Sequence, residues 1–123
     1  MDGEILDFIK GAVGSVWALE LLLFMRGRPE RAWTQAELAR EMRSNEALAG
    51  EALRTFEAAG LLARAQEGFT YAPMRKQLDD LVGQLAAAYR ERPVAVVNAI
   101  VSSRTDNLRN FADAFKLKGG PGT

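Results

Sequence analysis

A mainly α-helical fold carrying one short two-stranded β-hairpin is predicted by three observations. Apolar residues recur at helical spacing over most of the 123 residues. Residues 61–72 instead hold two short runs separated by the turn residues Gln66-Glu67-Gly68. Cap and breaker signals fall where helices must start and stop, among them Thr34 with Glu37, Gly60, Pro73 and Pro93. The length suits one domain over 1–118, with a core module at 34–72 and flanking helical stretches at 5–28 and 74–117. Residues 119–123 (Gly-Gly-Pro-Gly-Thr) are expected to form a disordered tail.

The elements follow in chain order. Ile5 to Met25 reads as helix, and Gly11 and Gly14 are where a joint between a short leading piece and a main one would fall. The main piece, Val13 to Arg26, is apolar nearly all round, so it is either the central helix or part of a subunit interface. Gly27 and Pro29 end it. Thr34-Gln35-Ala36-Glu37 matches a capping box, and Trp33 before the cap with Leu38 after it can form a hydrophobic staple. A helix over Gln35–Met42 follows. Arg43-Ser44-Asn45 is a polar break. A second helix over Glu46–Ala59 places Leu48, Ala49, Ala52, Leu53 and Phe56 inward, and Gly60 stands where a left-handed cap belongs.

Leu61–Arg64 and Phe69–Ala72 read as the strands. Met74–Arg90 is amphipathic, with Met74, Leu78, Leu81, Val82, Leu85 and Tyr89 on one stripe. In Pro93–Val101 the β-branched content argues for strand, while Pro93 and the helical neighbours argue for helix; the reading is helix. Thr105 caps an expected last helix, Asp106–Leu117, with Leu108, Phe111, Ala112 and Phe115 on one side.

Composition narrows the function. Cysteine and histidine are both absent, which removes disulfides, thiolate metal sites, and the commonest general base and metal ligand. No catalytic constellation, metal or cofactor is expected. Ser102 and Ser103 have no base to activate them. Asp79 and Asp80 lie four residues after Arg75 and Lys76, which suggests solvated helix pairs rather than a carboxylate dyad. No leader or membrane segment is read, and a cytoplasmic protein is expected. Net charge is zero, so strong nonspecific attraction to nucleic acid is not expected from the whole chain.

The order capped helix, turn, helix, glycine, hairpin is the informative feature. With Thr34, Glu37, Leu38 and Ala39 in the first helix and the run Leu53, Phe56, Ala59, Gly60, Leu61, Leu62 into the hairpin, residues 34–72 resemble the winged helix-turn-helix module of bacterial regulators of the MarR and ArsR types. The resemblance covers about a third of the chain. It implies a DNA-binding transcriptional regulator, and the flanking helices match the MarR-like layout in which they form a homodimer interface. Val16, Trp17, Leu108, Phe111 and Phe115 are the dimer-interface candidates on that layout.

In such modules the second helix enters the major groove of double-stranded DNA. The candidates for reading bases are then Ser44, Asn45, Ala47, Gly50 and Arg54. The phosphate-contact candidates are Arg26, Arg28, Arg31, Arg40, Arg43 and Arg64. A helical wheel turns Ala47, Gly50, Glu51, Arg54 and Ala58 outward. The module carries four basic against six acidic side chains, a net of −2, and its wing holds only Arg64. A second reading therefore stands beside the first: a protein–protein interaction module on a winged-helix fold that has lost DNA binding, its small flat helix face receiving a protein partner.

Overall fold

The computed structural model describes residues 2–104. Five helices and a hairpin run in the order α1 (Gly3–Ala12), α2 (Val16–Arg26), α3 (Gln35–Glu41), α4 (Glu46–Ala58), β1 (Leu62–Ala65), β2 (Gly68–Tyr71), α5 (Lys76–Glu91). A sixth helix, α6, is described over 93–104. Among the described residues no single helix is long and apolar enough to cross a membrane. The expected helix over 106–117, with its cap Thr105 and its residues Leu108, Phe111 and Phe115, lies outside the described residues.

The leading stretch breaks into two helices whose axes bend by 103°. The break falls at 13–15 and is made by a cap as well as by glycine. Asp2 caps α1, and the Ser15 hydroxyl accepts the Ala18 N–H at 3.0 Å to start α2. This serine cap sets the start of α2 at Val16 rather than Val13.

Helix α2 is the central element, which accounts for its all-round apolar surface. Leu21, Leu22 and Met25 are fully buried in one cluster with Trp33, Leu38, Leu53, Phe56, Leu61, Phe69, Tyr71 and Val82. Leu19 is fully buried in a second cluster with Ile5, Ile9, Val13, Leu85, Val96 and Ile100. Phe8 and Leu23 pack against both, so the two clusters meet along α2. Val16 is half-buried against the second cluster. Trp17 is half-buried against the first, and its indole N–H donates to the Met42 carbonyl at 3.4 Å. The two α2 residues expected at a dimer interface thus have neighbours within the chain.

The capping box at Thr34 is complete. The Thr34 hydroxyl accepts the Glu37 N–H at 3.1 Å, and the Glu37 carboxylate accepts the Thr34 N–H at 2.9 Å. Trp33 and Leu38, the expected staple, are buried in the same cluster. Trp33 also exchanges backbone hydrogen bonds with Phe69, both 2.8 Å, and so adds an isolated antiparallel bridge beside β2.

The hairpin pairs Leu62 with Tyr71 through Ala65 with Gly68. Its two-residue turn, Gln66-Glu67, has no positive φ, and Gly68 supplies the left-handed torsion at φ +120°. A Cβ on Gly68 would stand 2.1 Å from the Trp33 carbonyl oxygen, so the close approach of Trp33 to β2 also requires glycine.

Helix α5 starts at Lys76, not Met74: Met74 precedes the helix and is 79% exposed, while Val82 and Leu85 carry the buried stripe. Arg92 leaves helical torsions, and Pro93 opens α6 as its first residue, where the missing N–H goes unused. The β-branched residues after Pro93 are therefore helical, with Val96 and Ile100 buried one turn apart.

Candidate functional site

Helices α3 and α4 pack on each other across the four-residue connection 42–45. The Asn45 side-chain carbonyl accepts the Leu48 N–H at 2.9 Å, which caps α4. One acceptor site of that oxygen is engaged by the helix start, and the exposed amide N–H groups of Asn45 are its unengaged donors. Ser44 is half-buried.

On α4, Ala49, Leu53 and Phe56 are buried behind, while Ala47, Glu51, Arg54 and Ala58 are exposed in front. Gly50 departs from the outward placement expected of it. It is buried against α3, and a Cβ there would lie 2.5 Å from the Gln35 side-chain nitrogen. The same Gln35 amide donates to the Glu46 carbonyl at 2.5 Å. Gly50 is thus a packing residue between α3 and α4. Leu48 departs in the opposite sense. Expected inside, it is 49% exposed, because α4 presents its Leu48, Glu51, Thr55 edge to a groove rather than to the core.

The groove, about 380 Å³, is lined by Trp17, Ala18, Leu48, Ala52 and Phe56, with Glu51, Thr55 and Arg104 at its polar edge. Sequence reasoning missed it. The signal was present in the spacing Leu48, Glu51, Ala52, Thr55, which marks one edge of a helix, but the wall opposite comes from the α1–α2 corner.

The six phosphate-contact candidates divide sharply. Arg26 is half-buried, and its Nε donates to Asp79 Oδ1 at 3.3 Å. Arg31 stacks 3.7 Å above the Trp33 ring and pairs with Glu37 at 2.7 Å. Arg64 pairs with Glu57 at 2.9 Å and lies 5.0 Å over Phe69. These three guanidinium groups are already neutralised inside the chain, so the hairpin presents no unpaired arginine. Arg28 sits 4.0 Å over Phe24 and donates to its carbonyl. Arg40, Arg43 and Arg54 are exposed, and none forms an ion pair among the described residues. No family model, curated protein or solved structure matches the chain.

Asp79 does not pair with Arg75 along its helix as its spacing suggested. Its Oδ1 accepts the Tyr71 hydroxyl at 2.6 Å and the Arg26 Nε, so one carboxylate ties β2, α5 and α2 together. The Tyr71 hydrogen bond holds the Asp79 carboxyl below the usual carboxylate range; burial opposes it, and the Arg26 guanidinium adds to the lowering. Burial, and then Asp79, push the Tyr71 phenol up. The Thr34 N–H and the Arg31 guanidinium lower Glu37.

Proposed function

We propose that this protein is a DNA-binding transcriptional regulator built on a winged helix-turn-helix, with α4 as the helix that enters a major groove. One observation carries the reading. Helix α4 is held from behind by buried Leu53 and Phe56 and presents Ala47, Glu51, Arg54 and Ala58, a face on which the single arginine, Arg54, stands between short alanines. A small-residue face lets a helix lie deep between base edges, and an arginine among them can pair bidentately with guanine. The connection to α3, and the hairpin fastened to Trp33, are the neighbours such a helix has in this class of module.

The regulator is proposed to act as a homodimer, since two-fold closure is the commonest assembly. With α2 spent on the core, exposed apolar residues of α1 and α6 are the proposed contacts. Leu6 on α1 is 42% exposed and Val94 on α6 is 70% exposed. Light scattering at micromolar concentration tests this, and a monomer mass rejects it.

Fluorescence anisotropy with duplex DNA over a range of salt tests the DNA reading. Binding should weaken steeply with salt. Arg54→Ala should reduce discrimination between sequences by roughly 1–3 kcal/mol. Glu51→Gln, which removes a carboxylate from the same face, should strengthen nonspecific binding. A wild-type isotherm that stays flat at low salt into the high-micromolar range removes the reading.

A second reading is favoured by the exposure of Leu48 beside the groove with Trp17 and Phe56. An apolar edge suits a partner protein's helix better than a phosphate backbone. In that case duplex binding is absent, and Leu48→Asp abolishes the partner interaction while Arg54→Ala leaves it intact.

A further inference from the structure

We infer that Arg43 is a backbone-phosphate anchor retained at the α3–α4 turn at a cost in stability; the inference rests on the duplex-binding reading above. The chain closes two helices in the same way. After α4, the Leu61 N–H reaches the Phe56 carbonyl and the Gly60 N–H reaches the Glu57 carbonyl, both at 3.0 Å. After α3, the Ser44 N–H reaches the Ala39 carbonyl at 2.8 Å and the Arg43 N–H reaches the Arg40 carbonyl at 3.2 Å. This closure needs a left-handed residue at its hinge. Gly60 supplies it at φ +80°, and Arg43 supplies it at φ +53°.

Glycine adopts that torsion without strain, whereas a side chain with a Cβ meets the following carbonyl. Arg43 is the one non-glycine residue with positive φ among those described. Its exposed side chain has no ion pair or hydrogen-bonded acceptor among the described residues, unlike Arg26, Arg31 and Arg64. The fold therefore gains nothing visible from arginine at a hinge that favours glycine. Strain of this kind persists where the side chain has a use outside the fold. The hinge stands two residues before the cap of α4, at the end of the helix proposed to enter the groove, where the flanking chemistry is a phosphodiester. A flexible, fully charged guanidinium fits that acceptor.

The test compares the wild-type chain with Arg43→Gly, Arg43→Asn and Arg43→Lys. Thermal unfolding and duplex-DNA anisotropy over a salt series are measured on each. Arg43→Gly should raise the thermal midpoint by about 2–5 °C. Arg43→Gly and Arg43→Asn should weaken duplex binding roughly five- to tenfold near 0.1 M salt. They should also lower the slope of log affinity against log salt by about one. Arg43→Lys should keep the wild-type slope. A wild-type protein that binds duplex, with an Arg43→Gly variant of equal slope and affinity, overturns the anchor and leaves the DNA reading standing. An unraised midpoint in Arg43→Gly overturns the stability cost. A flat wild-type isotherm overturns both the anchor and the DNA reading. In that event, loss of a carboxylate-bearing protein partner in Arg43→Gly would assign the residue to the interaction surface instead.

Discussion

Gly68 and Tyr71 sit three residues apart on β2 and make opposite kinds of demand. Gly68 must lack a side chain, because its φ is +120° and the Trp33 backbone lies where a Cβ would be. Gly68→Ala should destabilise the fold by about 3 kcal/mol or more, from torsional strain and a backbone clash that no rotamer relieves. Urea unfolding measures it, and a change under 1 kcal/mol would contradict the close approach. Tyr71 must keep its hydroxyl, which donates to Asp79. A carboxyl whose folded pKa is depressed stabilises the fold above its unfolded pKa, near 3.9. That stability is lost as pH falls through the folded value. Tyr71→Phe removes the largest cause of the depression. It should cost only about 1 kcal/mol at neutral pH, since water reaches the half-exposed Asp79, and less at pH 3, where the carboxylate that the hydroxyl stabilises begins to take up its proton. Urea midpoints of both proteins at the two pH values check the sign; an equal gap at both would exclude the Asp79 bond as its source.

At the scale of elements, α4 divides into positions that hold it and positions that present it. Gly50 belongs to the first group, since Gln35 fills the space its side chain would take. Ala47 belongs to the second. Gly50→Leu should therefore lower the thermal midpoint by forcing α3 and α4 apart. Ala47→Leu should change stability by no more than about 0.5 kcal/mol and act on binding alone. Equal midpoints would return Gly50 to the outer face. Phe56, fully buried beneath α4, anchors the helix, and Phe56→Ala should cost about 3–5 kcal/mol, read from denaturant unfolding.

For the whole molecule, the arrangement of the two clusters makes a prediction about cooperativity. Trp33 lies in the first cluster and Trp17 packs on it, so tryptophan fluorescence follows that half of the core. Helices α1 and α6 pack on the second, and far-ultraviolet circular dichroism follows both halves. Because α2 runs through both clusters and Phe8 and Leu23 touch each, the two probes should report one coincident transition in urea. Separated midpoints would mean that the clusters unfold independently.

Local structure was legible in the chain of residues alone: the capping box at Thr34, the left-handed hinge at Gly60, the turn before Gly68 and the helical start at Pro93. Each depends on a few neighbouring residues whose backbone groups must be satisfied nearby, so short spacing is enough to read them. Four of the five residues read as the outward face of α4, Ala47, Glu51, Arg54 and Ala58, were legible for the same reason, from helical periodicity. Tertiary structure alone decided which side of each helix met a neighbour. Gly50 turned inward because Gln35 lay across it, and Leu48 turned outward because the α1–α2 corner stopped short of it. Arg26, Arg31 and Arg64 were neutralised by carboxylates six or more residues away, and for Arg26 and Arg64 the pair joins two different elements. An exposed arginine and a paired one have the same letter in the chain. The difference lies in which acceptor folding brings within reach, and that distance is set by packing around α2.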